Sequence, residues 1–352
     1  MSMTSMPHVG VLPAGALGTI ADVPGVTVGH CTIDSGAVQT GVTVIRPHRD
    51  DPYRHKVPAA ASVINGFGKS IGLVQVEELG VLETPIALTN TFGVAAVAQA
   101  QIRAAIESNP QIGREWSTVN PLVFECNDGY LNDIQALAVG ESHYAQALGA
   151  TASTFERGSV GAGRGMSSFD LKGGIGSASR VVNAANREFT VGALVLANFG
   201  RLPTLTIDGM PLGRELAQRR RATEAKPEQG SIIMIVATDA PLDARQLKRL
   251  SMRAAAGLAR AGSVYGHGSG DIALAFSTAW TVAHDSDFIA TPPPVNDARL
   301  DPLFQACADS VEQAIFDALW SATTVTGRDA HTRLSLHDAA PDLEQLLKRC
   351  TT

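Results

Sequence analysis

The chain has 352 residues and a formal net charge of −6. That acidic balance argues against a nucleic-acid partner, whose binder would carry a basic face. The one basic run, Arg219-Arg220-Arg221, stands in polar surroundings and reads as solvated. Hydrophobic residues make up 45% of the chain but aromatic residues only 5%, so the core is to be built from Ala, Val, Leu and Ile. Cys31, Cys126, Cys307 and Cys350 show no paired spacing, which fits a reducing compartment. The amino-terminal stretch lacks the charged and apolar regions of a secretory signal, and no run approaches about 18 apolar residues. A cytoplasmic protein with no membrane partner is expected.

In chain order, short β-branched runs that end in turn residues predict strands over 26–28, 41–46, 59–64 and 86–89. An alanine-rich helical pattern follows over 92–108, then strands over 122–125 and 192–197. The segment 213–230, "GRELAQRRRATEAKPEQG", is polar, charged and carries Pro227; composition alone marks it as a linker at a domain boundary. A helix is predicted over 243–260, with Leu247, Leu250, Ala254 and Leu258 on one face. Another covers 301–322: Asp301 can cap it, Pro302 fits the first helical position, and Leu303, Cys307, Val311, Ile315 and Leu319 form one stripe. From His331 the chain reads as an extension with a short helix over 342–348.

Four stretches could carry chemistry. In "GSIIMIVATDAPL" a serine, Ser231, stands directly between a polar loop and an apolar run fit for a buried strand. Were the backbone to break after Gly230, Ser231 would gain a free α-amine with a pKa of about 7.7–8.0, and would be nucleophile and base at once. The plain alternative is a turn glycine followed by a strand. In "GHGSGDIALAFST", alternation puts His267, Ser269 and Asp271 on one strand face. Same-face neighbours lie in parallel about 6.5–7 Å apart, so they should not converge as a triad and are better read as helpers aimed at a neighbouring strand. Asn198 ends the apolar run "ALVLANFG", where its amide can donate to an oxyanion or merely make a turn. In "FECNDGYLNDI", Glu125 ends a strand ahead of an Asn-Asp-Gly turn and a helix start; acids here could receive an ammonium, while Asp128 and Asp133 could equally be turn and cap residues.

Other patterns fail their own tests. "GFGKS" ends like a phosphate loop, but the pattern needs glycine at position 63, which is Val63. "GSVGAGRG" follows no first strand and misses the dinucleotide spacing. The nine histidines are scattered without metal-ligand spacing, so neither metal nor cofactor is expected.

Taken together, "TIADVPGVTVGH", "TGVTVIRP", "VINGFGKSIGLVQVEELGVLETPIALTNT", "ECNDGYLNDI", "VGALVLANFG", "GSIIMIVATDAPL" and "GSGDIALAFSTA" resemble the DmpA/β-aminopeptidyl hydrolase family of self-processing N-terminal-serine hydrolases. The resemblance implies an α+β fold, an αββα sandwich of the DmpA/ornithine-acetyltransferase type, and a single domain cut once at Gly230–Ser231 into chains 1–230 and 231–352. It implies Ser231 as nucleophile, Asn198 as oxyanion donor, and Ser269 with Asp271 as the hydroxyl and carboxylate that orient it. Some relatives have glutamate where this chain has Asp271. Glu125, and more weakly Tyr130, match the pocket for the substrate's amino end. The freed amine or the Ser269–Asp271 pair would take the nucleophile's proton. Implied substrates are small peptides, amides or esters, and the implied assembly is a homo-oligomer, a tetramer of cleaved units. An ornithine-acetyltransferase-like acyltransferase is the alternative, although that group normally uses threonine where this chain has Ser231.

Overall fold

The run Ser231-Ile-Ile-Met-Ile-Val-Ala has no polar face, and a strand of that kind is stable only when both faces are covered. The computed structural model, which describes residues 6–219 and 229–349, satisfies that demand with two stacked sheets between helices. A four-stranded sheet runs in the order Thr27–Ser35, Val38–Arg46, Ile86–Asn90, Leu122–Cys126. The larger sheet runs Val282–Ala283, His55–Gly66, Gly268–Ser277, Gln229–Thr238, Arg187–Asn198, Gly174–Ala184, with Val81–Leu82 paired to His55–Gly66 off this path.

Alternation divides each strand between two cores. Ile233, Ile235, Leu274 and Phe276 of the larger sheet meet Ile45, Leu88 and Phe124 of the smaller one in the layer between sheets. Met234, Val236, Ala273 and Ala275 face the other way, onto Leu247, Leu250, Leu258, Cys307 and Val311 of the helices outside. The smaller sheet is covered in turn by Val97, Tyr144 and Ala147 from the helices Val94–Ser108 and Glu141–Gly149. The layering is therefore helix, sheet, sheet, helix, as the resemblance implied.

Several expectations need correction. The pattern over 243–260 forms two helices, Ala244–Ser251 and Ala254–Arg260. The Ser251 hydroxyl bonds back to the Lys248 carbonyl and to Ser62, competing with the helical ladder where the break falls. The helix over 301–322 ends at Trp320, and the helix over 92–108 begins at Val94 after a short 3₁₀ turn capped by Asn90. No α-helix follows Glu125: Asn127 takes the Gly129 N–H and Asn132 reaches back to Asp128, leaving only the 3₁₀ turn Ile134–Ala136. The strand Gly174–Ala184, rich in Gly and Ser, was not anticipated.

The boundary expected at 213–230 is not one over the part described. Leu212–Arg219 is a helix whose Leu212 and Leu216 join the same core as Met234 and Leu247. Arg219 is paired with Glu215 and Asp342. Arg220, Arg221, Pro227 and Cys350 lie outside the described residues. The stretch from His331 is no mere extension either, because Leu336, Leu343 and Leu346 are buried in that core.

The helix Asp301–Trp320 lies directly on the strand Gly174–Ala184: a Cβ at Gly176 would stand 1.9 Å from the Ala314 carbonyl oxygen. Gly176→Ala should therefore push the helix off the sheet and cost about 1–3 kcal/mol, read as a lower denaturation midpoint at unchanged m-value.

Candidate active site

Three strands of the larger sheet bring their ends into register. Asn198 stands opposite Ser231 across an antiparallel pair, and Ser231 stands opposite Gly270 across a parallel pair, with Gly230 facing Ser269. The approach at this point is close. A Cβ at residue 230, where φ is +147°, would fall 2.0 Å from the Asn198 carbonyl oxygen, so only glycine fits. Ser231 is 5% exposed. Its hydroxyl donates to the Gly230 carbonyl at 2.7 Å and accepts from the Gly270 N–H at 3.3 Å. The side-chain oxygen is thus held against the carbonyl group of its own preceding peptide.

On one flank, the Asn198 side-chain oxygen accepts the Ser167 N–H at 2.8 Å and its Nδ2 donates to the Asn127 carbonyl at 2.9 Å. An amide nitrogen carries two hydrogens, and the Asn127 carbonyl takes one of them. The Ser167 loop is braced by Lys172, whose Nζ donates to the carbonyls of Gly163 at 2.8 Å and Gly173 at 2.7 Å. Burial, with Arg164 nearby adding to it, holds that amine well below the ordinary lysine range.

On the other flank, the Ser269 hydroxyl donates to Asp271 Oδ1 at 2.6 Å, and both residues are fully buried. This corrects the expectation that same-face neighbours stay too far apart to touch. The pairing of Gly268–Ser277 with His55–Gly66 shifts register between Asp271 and Ile272, where Asn65 faces Asp271 but Val63 faces Ile272. The unpaired residue is Ile64 on the opposing strand, and a bulge of this kind tightens the local twist beside Asp271. Asn65 holds the incoming turn, its amide donating to the Gly266 carbonyl at 2.9 Å and also to the Ser269 carbonyl. His267 is exposed with its ring 5.9 Å from that of Phe67, outside this group.

Glu125 is buried at the end of its strand. Its Oε1 accepts the Lys69 backbone N–H at 2.7 Å, and its Oε2 accepts the Thr91 hydroxyl. Lys69 and Thr91 also line an open groove of about 630 Å³ with Ile71, Phe92, Val94 and Leu137. Sequence reasoning missed Asn65, Lys69 and Thr91. Asn65 and Lys69 stand in the glycine-punctuated "NGFGKS", which read residue by residue suggests only a failed phosphate loop, and Thr91 follows the strand end "ALTN" with no signal of its own. Tyr130, partly exposed, stacks on His331 at 4.5 Å and lies under Arg333 at 3.8 Å. Asp128 is buried and accepts the Asn132 amide at 3.0 Å; burial raises its pKa to about 6 against the pull of its hydrogen bonds. Asp133 starts the 3₁₀ turn without a side-chain cap.

The layered frame and the strand-end cluster define a class, the hydrolases of the N-terminal-nucleophile type. Comparison with known proteins takes this one step further. The chain belongs to peptidase family S58, whose model matches residues 18–333. It is 38% identical to the beta-peptidyl aminopeptidase BapA of Sphingosinicella microcystinivorans, covering 95% of this chain and 89% of that one. The structure is similar to that of a Burkholderia sp. beta-aminopeptidase, with TM-score 0.88, 38% identity and coverage of 98% and 97%. It is similar also to the L-aminopeptidase D-Ala-esterase/amidase of Ochrobactrum anthropi, described as a variant of the Ntn hydrolase fold, with TM-score 0.88, 35% identity and coverage of 97% and 96%.

Asp128 is the neighbour in the chain of Asn127, whose carbonyl holds Asn198. Its folded pKa lies above the unfolded value, so the stability it lends is full below about pH 4 and is lost as the pH rises through about 6. Asp128→Asn, which cannot ionise, should gain stability relative to the parent over that window, by up to roughly 3 kcal/mol. Urea denaturation at pH 4, 5, 6 and 7 checks this; a constant difference would contradict it.

Proposed function

We propose that the chain is a serine-nucleophile aminopeptidase that cuts itself between Gly230 and Ser231 and then releases amino-terminal residues from small peptides, amides or esters. One observation carries the reading: the Ser231 hydroxyl lies 2.7 Å from the Gly230 carbonyl oxygen, while the strand register puts Asn198 directly opposite. In the first reaction Ser231 Oγ attacks the Gly230 carbonyl carbon. The carbon–nitrogen bond breaks, the proton passes to the departing Ser231 nitrogen, and an ester joins the two pieces. Water hydrolyses the ester, leaving a Gly230 carboxylate, a free Ser231 amine and a restored hydroxyl. The products are chains of 230 and 122 residues, 122 being 352 less 230.

In the second reaction the same oxygen attacks the carbonyl of a substrate's first residue. The remaining Asn198 N–H stabilises the oxyanion, the amine or alcohol departs, and water clears the acyl-enzyme. Glu125 receives the substrate ammonium, and Tyr130 borders the same region. The Ser269 proton is committed to Asp271, so the Ser269 oxygen is left as an acceptor one register position away. Either it, passing its own proton on to the Asp271 carboxylate as it does so, or the freed amine takes the Ser231 proton. The amine as base would give an ascending pH–rate limb that Asp271→Asn does not move.

The named relatives at this level of identity are aminopeptidases, which disfavours the acetyltransferase alternative. We also infer a homo-oligomer, a tetramer of cleaved units, and a cytoplasmic setting. The latter accords with Cys31, Cys126 and Cys307 being buried as free thiols. Among the described residues no helix is long and apolar enough to cross a membrane.

Denaturing electrophoresis of purified protein should show two bands, and Edman sequencing of the smaller should read Ser-Ile-Ile-Met. Ser231→Ala should stay full length and lose activity on a panel of L-, D- and β-aminoacyl p-nitroanilides. An intact chain with parental activity would overturn the reading. Asn198→Ala should lower kcat by about 10²–10³-fold with a smaller effect on KM.

A further inference from the structure

Glycines near the site fall into two groups. At Gly230 an added Cβ would meet the Asn198 carbonyl oxygen at 2.0 Å, and at Gly270 it would meet the Phe67 carbonyl oxygen at 2.8 Å, so packing demands glycine at both. Gly68 differs. Its φ is outside the left-handed region, and an added Cβ would have ordinary contacts only: 3.5 Å to Glu125 Oε1, 3.5 Å to Ile272 Cδ1 and 3.8 Å to Gly270 Cα. Neither backbone conformation nor packing requires that this residue lack a side chain. Those contacts mark a methyl-sized space between the two ends of the site. On one side stands the Glu125 carboxylate; on the other stands Gly270, whose N–H donates to Ser231 Oγ at 3.3 Å.

We propose that Gly68 is a specificity-determining residue, whose missing side chain keeps open the passage between Glu125 and Ser231. The proposal rests on the functional reading above. A substrate with its ammonium on Glu125 and its carbonyl carbon at Ser231 must lay the intervening amine-bearing carbon across this gap. A methyl group at residue 68 would occupy that space while leaving both ends of the site in place. The turn itself rests on backbone groups that alanine would also supply: Gly68 N–H donates to the Gly66 carbonyl at 2.8 Å, and Lys69 N–H donates to Glu125. Self-cleavage makes no use of the gap, because the attacked carbonyl is Gly230's own. The two reactions of Ser231 should therefore separate at this residue.

The test is Gly68→Ala, compared with the parent using alanine, D-alanine and β-alanine p-nitroanilides. A single methyl group in a fitted pocket alters kcat/KM by about tenfold or more. KM should rise by at least about tenfold with kcat within about threefold, the pattern of lost ground-state fit. Mass spectrometry should find processing complete, and the melting temperature should stay within about 2 °C. Unchanged KM for all three amides would overturn the proposal, and so would a loss of activity accompanied by failed processing or a lowered melting temperature, which would make Gly68 a packing residue. If the parent protein itself cleaves none of the three, the functional reading fails first, and that result is visible before any variant is made.

Discussion

The site depends on the register of three strands at one end of one sheet. Asn198, Ser231 and Gly270 share a row of the ladder, and Ser269 sits one row over, opposite Gly230. A strand's side chains alternate between faces, so a slip of one residue would turn the Ser231 hydroxyl to the other face of the sheet. The slip is prevented by bulk. Ile233 and Ile235 fit only between the sheets, while Met234 and Val236 fit only under the helices. The apolar run after Ser231 is thus the device that fixes where the hydroxyl points, and the glycine before it is the concession that lets the Asn198 strand come close.

Around that row the charges are arranged for contrast. Two carboxylates are buried there, each with a hydroxyl donating to it: Thr91 to Glu125, and Ser269 to Asp271. Glu125 also takes a backbone N–H, so its donors are neutral, and among the described residues it makes no ion pair within salt-bridge distance. A buried carboxylate supported by dipoles is complementary to an arriving ammonium, and the low dielectric strengthens that attraction. The Asp271 carboxylate acts within the protein, orienting a hydroxyl beside the reacting row. On the proposed reading one acid would face the substrate and the other the nucleophile.

The sequence was most legible where periodicity and position coincided. Ser231, Asn198 and Glu125 all lie at the ends of apolar runs, and in the structure each stands within the last three residues at one end of a strand. The layers were legible through the resemblance, since apolar runs alone do not say how many sheets they form. What stayed hidden depended on contacts between distant segments. The touch of Ser269 on Asp271 falls beside a bulge on the opposing strand, and no spacing within "GSGD" reveals a register shift at Asn65. Likewise Thr91 and Lys69 find Glu125 across 34 and 56 residues of chain. The break in the helix at Ser251 was hidden because a serine on an apolar face reads as neutral until its hydroxyl is seen bonding backward.

A cut at Gly230–Ser231 would cost the fold little. The bond lies at the start of a strand whose following residues are hydrogen-bonded to neighbours on both sides and buried on both faces. Both cores that grip this strand are built from residues on either side of the bond, such as Leu194 with Ile233 between the sheets, and Val195 with Met234 beneath the helices. The pieces would be held by the same apolar area that held the single chain. The new amine would appear in a nearly water-free position, where burial disfavours its charged form and lowers its pKa. Burial that first pins the hydroxyl against its own peptide would therefore next keep the amine neutral at the pH where a base is needed. One feature of the sequence, a serine with no polar transition into the core, would serve both reactions.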